Sequence, residues 1–390
     1  MRLSMNTRYA VIHASFWGAY GSLWAFIALV LEYNGFASAQ VGVVTSCATL
    51  LSVFLSPAVS SLLDARPGLE NRHGAMALLT LAAALCLLVW LVPLPRPFVL
   101  GACFALIGAF LSSTPPFQNA MAMDANRCGI PVVYGFCRGV GSVSYAAAVL
   151  LLGFVLERHA PTLLLPVFAA LTACGLIAMA GFRLPERPDE AADRPAEHRS
   201  IAAVLRSHPR FALTLLGCMF FFLTHTISNT YMNALVGKAG GTASAVGTSL
   251  AISAVLELPA MTLVSRLQKR FSPGFFLRFA AGAEVVKFLI FYLAHSMPLI
   301  YLGQCMQFFQ FAVYAPATVY YVAAALPERD QLKGQSLIYV AGSGLGGALG
   351  NLLGGRLLDR SGIQAALLLG TVSAAASLLT FCLSTREDSR

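Results

Sequence analysis

The sequence predicts an all-α membrane protein with twelve transmembrane helices arranged as two six-helix bundles. Of its 390 residues, 57% are hydrophobic and only 11% are charged, and the mean hydropathy is +0.72. Soluble domains carry about 25% charged residues, so a water-soluble fold could not bury this apolar surface. Apolar stretches long enough to cross a bilayer, about 20 residues each, recur along the chain, and one charged segment separates them into two sets.

Six apolar stretches lie before that segment and six after it. The first bundle, residues 1–183, has predicted spans at 8–31, 38–62, 74–94, 97–121, 131–156 and 162–182. The second bundle, residues 210–390, has predicted spans at 210–235, 242–265, 275–295, 299–325, 334–357 and 363–384. Residues 184–209 are dense in Arg, Glu, Asp and Pro, which predicts a mobile linker on the cytoplasmic side.

The basic residues predict the orientation of the chain. With the N-terminus placed inside, eighteen Lys and Arg fall in inner segments and five fall on the outer side. By the positive-inside rule, both termini are expected in the cytoplasm. We therefore expect a multi-pass protein of the bacterial inner membrane.

Internal similarity supports two related halves. The fifth span reads GVGSVSYAAAVLLLGFVLER from Gly139, and the eleventh reads GSGLGGALGNLLGGRLLDR from Gly342. Glycines at 342, 346, 350 and 354 place a flat groove on one face of the eleventh span, where another backbone can approach closely. This groove indicates either tight packing or a smooth face on which the two halves rock.

Several functional classes find little support in the sequence. There is no apolar core and cleavage site typical of a signal peptide at the N-terminus, and no GxxxxGK[ST] loop for ATP. The nine cysteines lie mostly inside spans without CxxC pairs, so neither a metal nor another cofactor is predicted. The basic residues lie in loops and not on one soluble face, so no nucleic-acid partner is expected, and no catalytic set favours an enzyme.

Four ionisable side chains lie well inside predicted spans. An ionisable group in hydrocarbon costs about 2.5–3.5 kcal/mol on insertion scales, so each needs a partner, a water-filled cavity or a function. Glu284 and Lys287 are three residues apart and can form an ion pair with each other. Arg138 and Glu257 come from opposite halves, and we expect them to meet across the central interface and to bind a solute. A desolvated Glu257 could also carry a proton.

Uncharged polar and aromatic side chains at similar depth are further candidates for a cavity wall. Trp17 offers a stacking surface for a sugar or a planar acid, and packing against lipid or the core is the other explanation for it. The amides with the same alternatives, a ligand contact or an interhelical hydrogen bond, are Asn119, Asn229, Gln307 and Gln310.

The twelve spans, the central linker and two loop motifs resemble the major facilitator superfamily. The motifs are LLDARPG at 62–68 and GGRLLDRSG at 354–362. The family's loop motif G-x-L-a-D-R-x-G-R-R is matched loosely by Asp64, Arg66 and Gly68, with serine in place of its first glycine. This resemblance implies a major facilitator fold and a conformational-switch loop at these three residues.

Within the superfamily, YGFCRGVGS and LELPAMTLVSRLQKRF resemble the branch of lactose permease, nucleoside symporters and phenylpropionate permeases. The resemblance implies that Arg138 and Glu257 hold the solute and that Lys287 takes part in coupling. A sugar-binding carboxylate of the fourth span is replaced here, with Asn119 beside its position. A titratable pair of the tenth span falls near Gln307 and Gln310, so coupling would use Glu257 or Glu284.

The sequence therefore predicts a monomeric secondary transporter that works by alternating access. Its expected partners are the lipid bilayer, a small polar solute such as a sugar, nucleoside or small organic acid, and protons. An efflux transporter of the same superfamily is one alternative. A non-transporting membrane sensor is a more distant one, since the linker is the longest segment outside the spans.

Overall fold

A computed structural model describes residues 4–66, 68–92, 96–185, 201–268 and 270–385 of the chain. All regular elements in these ranges are helices. Several begin with proline, whose fixed φ suits the first helical turn, and Ser4 and Ser272 each accept a hydrogen bond from a backbone N–H of the first turn of their helix. The all-α fold class predicted from composition is confirmed.

Eight helices precede the predicted linker. They are α1 (Met5–Leu23), α2 (Ile27–Tyr33), α3 (Ser38–Asp64), α4 (Asn71–Leu91), α5 (Pro97–Ser113), α6 (Pro115–Arg127), α7 (Tyr134–Val155) and α8 (Leu164–Ala180). Ten follow in the described remainder of the chain. They are α9 (Ile201–Ser207), α10 (Pro209–Thr230), α11 (Met232–Lys238), α12 (Ala243–Leu267), α13 (Pro273–Leu293), α14 (Met297–Cys305), α15 (Phe311–Ala325), α16 (Glu328–Tyr339), α17 (Gly347–Ser361) and α18 (Ile363–Ser384).

Eleven helical segments of the described chain are long and apolar enough to cross a membrane. The remaining predicted span, the ninth, corresponds to α13, which has a comparable length of 21 residues. It carries three charged side chains close together, those of Arg278, Glu284 and Lys287. Two of them, Glu284 and Lys287, form an acid and a base that α13 buries together.

Four of the predicted spans are interrupted, and they are the first, fourth, seventh and tenth. A 3₁₀ turn at Trp24–Phe26 separates α1 from α2, and Thr114 separates α5 from α6. Tyr231 separates α10 from α11, and a 3₁₀ turn at Met306–Phe308 separates α14 from α15. Irregular backbone within a membrane is tolerated where it is buried in protein or lines a water-filled cavity. These four interruptions recur at every third span.

The described chain forms two compact units. One contains residues 4–185 and 242–254, and the other contains 201–241 and 255–385. The beginning of α12 thus belongs with the first unit although it follows the predicted linker. Most of that linker lies outside the described residues, and its end forms α9. The predicted division at 183 and 210 stays a prediction.

Each unit presents apolar side chains outwards as well as inwards. In the first unit, Phe54 is 73% exposed and Phe98 is 86% exposed. In the second, buried aromatic residues fill the core, and Phe221 stacks on Tyr314 with their ring centroids 3.9 Å apart. An apolar outer surface of this kind needs an apolar surrounding.

The glycine groove of the eleventh span packs within the second unit. A side chain at Gly346 or Gly350 would meet the backbone carbonyl of Met219 or Leu223, both on α10. A π-helical segment, Val340–Gly346, precedes α17 along the same contact. Of the two interpretations offered for the groove, these contacts support tight packing of α17 on α10.

Candidate functional site

In the first unit, Arg138 is held by two neighbours. It lies on α7, where its Nη1 donates to Ser142 Oγ one turn later at 2.8 Å. Its guanidinium lies 4.0 Å from the centroid of the Trp17 ring on α1. Guanidinium groups stack well on aromatic faces, and the stacking leaves the in-plane N–H donors available for other bonds. Arg138 is therefore a preorganised donor group at the contact between α1 and α7.

Trp17 is half-buried, and one face of its ring is taken by Arg138. Phe16 and Tyr20 surround it at ring-centroid distances of 5.2 and 5.5 Å. A role for this ring as a stacking surface, predicted from the sequence, is therefore limited to its remaining exposed parts. Its direct effect is to orient Arg138.

A polar cluster borders this pair on α1, α6 and α7. The hydroxyl of Tyr9 donates to the carbonyl of Gln118 at 2.8 Å, and the hydroxyl of Tyr134 donates to Asn119 Oδ1 at 3.1 Å. His13 lies between these tyrosines, with its ring 4.7 Å from that of Tyr9, and is only 1% exposed. Asn119, predicted as a solute ligand, is exposed and tied to Tyr134.

In the second unit, one amide joins a base to an acid. Lys287 Nζ on α13 donates to Gln307 Oε1 at 3.0 Å, and Gln307 Nε2 donates to Glu257 Oε1 on α12 at 3.0 Å. Lys287 and Gln307 are 1% and 3% exposed. Hydrogen bonds to charged groups are the strong ones in a buried site. Three of the predicted site residues thus form one continuous chain.

One alternative for Glu284 and Lys287, an ion pair with each other, is not formed in this conformation. Glu284 has no exposed surface, and neither of its carboxylate oxygens has a hydrogen-bond partner among the described residues. The ammonium that was expected to serve it donates to Gln307 instead. The spacing was compatible with a pair, but packing of α13 against the tenth span supplies a competing acceptor.

The interruption of the tenth span directs two amides to different helices. The expected continuous helix at 299–325 is broken between Met306 and Gln310, where Gln310 adopts φ −100° and ψ −94°. Gln310 Nε2 lies 3.4 Å from His225 Nδ1 on α10, and His225 Nε2 lies 3.2 Å from Asn229 Nδ2. The His225 ring stacks on Phe311 at 4.4 Å. Gln310 and Asn229 therefore belong to one group, centred on His225.

The predicted switch loop is described only in part. Arg66 is exposed just after α3, and Gly68 has φ +88°, a left-handed conformation that favours glycine. The side chain of Asp64 lies outside the described residues.

Outside the spans, a carboxylate joins the end of α7 to the start of α12 within the first unit. Glu157 Oε1 accepts hydrogen bonds from the hydroxyls of Ser244, at 2.5 Å, and Thr242, at 2.7 Å. These bonds, that of Ser244 first, lower the pKa of Glu157, which is exposed to solvent. Just inside this contact, a side chain on Gly153 would meet the backbone of Ala243 and Gly247.

A separate cavity of about 520 Å³ lies in the second unit, where α9 meets α10. None of the predicted site residues lines it; the polar residues that do are Ser207, His208, Arg210, Tyr321 and Ser384. No group of three or more His, Cys, Asp or Glu within the described ranges could hold a metal ion.

Sequence reasoning missed the residues that orient the charged groups. Ser142 bonds Arg138, and Tyr134 bonds the neighbouring Asn119. The four-residue spacing of Ser142 from Arg138 was a usable signal. The link between Lys287 and Gln307 joins two spans, so no local spacing could have indicated it. The charged residues themselves were found because their burial costs free energy.

Helices long and apolar enough to cross a bilayer define an integral membrane protein. The MFS_1 like family model matches residues 6–369, and the chain belongs to this family of major facilitator transporters. It is a membrane transporter of small-molecule solutes.

Individual relatives agree with this assignment. The chain is 26% identical to the maltose permease of Geobacillus stearothermophilus over 377 residues, which covers 95% of this chain and 92% of the permease. It is 22% identical to the uncharacterized transporter YwbF of Bacillus subtilis (strain 168) over 395 residues, 100% of this chain and 96% of that protein.

Solved structures share the fold. The nucleoside transporter NupG superposes with a TM-score of 0.81 over 100% of both chains at 15% sequence identity. A bacterial homologue of the human lysosomal transporter Spinster, in an inward-facing and unoccupied conformation, superposes with a TM-score of 0.69 over 98% of this chain and 97% of that chain, also at 15% identity. These likenesses confirm the major facilitator fold.

Proposed function

We propose that this protein is a proton-coupled symporter of a small polar solute in the bacterial inner membrane. The solute is a sugar, a nucleoside or a small organic acid, and transport proceeds by alternating access. Both termini lie in the cytoplasm, and the monomer is the working unit. The observation that carries the proposal is the pair of half-buried, oriented charged groups, Arg138 with Trp17 in one unit and Glu257 with Gln307 in the other.

The chemistry of these groups suits a hydroxylated or carboxylated solute. Arg138 offers N–H donors in a planar fork, and Glu257 offers a carboxylate that accepts from hydroxyl groups. The interrupted helices supply polar backbone and amides beside them. The solute-binding residues in this proposal are Trp17, Asn119, Arg138, Asn229, Glu257 and Gln307.

The coupling residues lie in the second unit. A carboxylate buried there can bind a proton on one side of the membrane and release it on the other, because burial disfavours its charged form. Glu257 and Glu284 are the carboxylates inside the predicted spans of this unit, and Lys287 and Gln310 are the other two coupling residues in the proposal. Maltose permease and NupG, by their names, act on sugars and nucleosides, which supports those two classes as the first solutes to test.

Transport by purified protein in liposomes tests this function. Maltose, uridine and an aromatic acid would be offered under an imposed pH gradient, with internal solute and external pH followed together. We expect one class to accumulate with external alkalinisation in the wild type, and Glu257→Gln to abolish this. Glu157→Gln makes the same chemical change at an exposed carboxylate and serves as the control.

A double variant provides the contrary outcome. Transport at the wild-type rate by Arg138→Ala/Glu257→Ala would remove the basis for the proposed binding residues. Solute movement in the export direction would instead indicate an exporter. Solute exchange without proton movement would indicate an uncoupled exchanger.

A further inference from the structure

Glu284 is buried in a way that favours a neutral carboxyl group. It lies halfway along α13, has no exposed surface, and both its oxygens are without a hydrogen-bond partner among the described residues. Removing a carboxylate from water without compensating hydrogen bonds strongly favours its protonated form. The proton is also the one ligand that needs no cavity. The arrangement therefore fits the state in which Glu284 carries a proton.

Lys287 has a second acceptor within reach on its own helix. Its ammonium has three donors, and one of them is used by Gln307 Oε1 at 3.0 Å. Glu284 precedes it by three residues, and side chains at this spacing are neighbours on a helix surface. An ionised Glu284 would attract the ammonium more strongly than a neutral amide oxygen does. The position of Lys287 thus depends on whether Glu284 is protonated.

Among the described residues, Lys287 is the charged group that acts on Glu284. Glu284 and Glu257 in turn act on Lys287, and Lys287 acts on His225. Helix α18 packs against α13 and carries no Asp, Glu, Lys, Arg or His. The titratable groups on the other helices packed against α13 are Arg210, Cys218 and His225 on α10, Tyr301 and Cys305 on α14, and Tyr314, Tyr320 and Tyr321 on α15.

We propose that Glu284 is the proton-binding group of this transporter and that Lys287 is the switch that reports its state to Glu257. When Glu284 is protonated, Lys287 bonds Gln307, and the amide of Gln307 is oriented to donate to Glu257. When Glu284 releases its proton to water, the ammonium moves to the new carboxylate, and Gln307 loses the bond that fixes its orientation. Proton release at one residue thereby alters the hydrogen bonding of the solute-binding carboxylate. The role in transport rests on the proposed function, whereas proton binding by Glu284 does not.

Infrared difference spectroscopy across a pH titration tests the proton site directly, with the proton itself as the probe. We expect purified wild-type protein to lose a protonated-carboxyl band as the pH is raised. That band is expected to be absent from Glu284→Gln, and present in Glu257→Gln and in the conservative variant Glu284→Asp. A difference spectrum of Glu284→Gln identical to that of the wild type would overturn the assignment.

The switch has its own readout. In Lys287→Met the cation that favours an ionised Glu284 is removed, so the carboxyl band is expected to persist to higher pH than in the wild type. An unchanged titration would refute the role of Lys287.

Transport measurements then separate this inference from the proposed function. For whichever of maltose and uridine the wild type carries, Glu284→Gln is expected to retain solute counterflow and to lose solute-driven proton movement. Retention of both would overturn the coupling role of Glu284. If the wild type carries neither solute nor any other tested class, the proposed function fails while the infrared result still decides the proton site.

Discussion

The same substitution, glycine to alanine, is expected to have opposite effects at two positions of the second unit. At Gly350 on α17, an added Cβ would meet the carbonyl carbon and oxygen of Leu223 on α10. These are backbone atoms of a packed helix, so relief requires the two helices to separate. At Gly282 on α13, the same Cβ has no atom within 4 Å.

The magnitudes follow from packing and chain entropy. Overpacking of a well-filled contact costs about 1–3 kcal/mol, so Gly350→Ala should destabilise the protein by that amount. Alanine is favoured over glycine within a helix by about 0.5–1 kcal/mol, so Gly282→Ala should be neutral or stabilising. Gly354→Ala should lie between them, because the added Cβ meets side chains of Ile227 and Tyr231 that can shift.

Thermal unfolding of the purified protein in one detergent measures these differences. The expected order of midpoints is Gly282→Ala at or above the wild type, then Gly354→Ala, then Gly350→Ala. A Gly350→Ala protein as stable as Gly282→Ala would refute the close approach of α17 to α10. Since α10 carries His225 and Asn229, the least stable variant should also transport most slowly.

Three further predictions concern the site. Trp17→Leu should weaken solute affinity by about 0.5–2 kcal/mol, or about two- to thirtyfold, because Arg138 loses the aromatic ring on which it stacks. The control is Trp90→Leu, at a tryptophan that is 47% exposed. This variant should leave the apparent solute affinity measured in liposomes unchanged. Gln307→Leu should lower the free energy of unfolding by about 1–3 kcal/mol, because it removes the acceptor of the buried Lys287 ammonium, and equal loss in Gln304→Leu would contradict this. The hydrogen bonds from Ser244 and Thr242 lower the pKa of Glu157. These bonds therefore stabilise the fold fully above the ordinary pKa of a glutamate. The stabilisation is lost as the pH falls through the lowered pKa of Glu157. Hydrogen-exchange protection at 242–247 should fall at acid pH in the wild type and lose this dependence in Glu157→Gln.

The spans and the charged candidates were predictable because both follow from the cost of placing groups in hydrocarbon. An apolar stretch of the right length must cross, and an ionisable group within it must be compensated. The prolines at 115 and 116 also signalled the interruption of the fourth span. The break at Met306–Gln310 had no such signal, because the segment MQFFQ contains neither glycine nor proline.

The hydrogen-bond partner of Lys287 could not be predicted from the local spacing of residues. Lys287 has one acceptor three residues earlier on its own helix and another on the tenth span. Which of them it bonds depends on how α13 packs against the tenth span and on the protonation state of Glu284. The hydropathy and periodicity of the sequence indicate neither the packing of these two spans nor the protonation state of Glu284.

The break in the tenth span explains why two amides three residues apart serve different partners. In a continuous helix, Gln307 and Gln310 would share one face. With Gln310 outside helical geometry, Gln307 reaches Lys287 and Glu257, while Gln310 reaches His225. Non-helical backbone in a membrane also leaves N–H and C=O groups without their helical partners, which costs free energy unless neighbouring groups bond them. If this segment straightened during transport, the hydrogen-bond partners of Glu257 and of His225 would both change in one step. The break therefore couples the group around Glu257 to the group around His225 through the backbone of the tenth span.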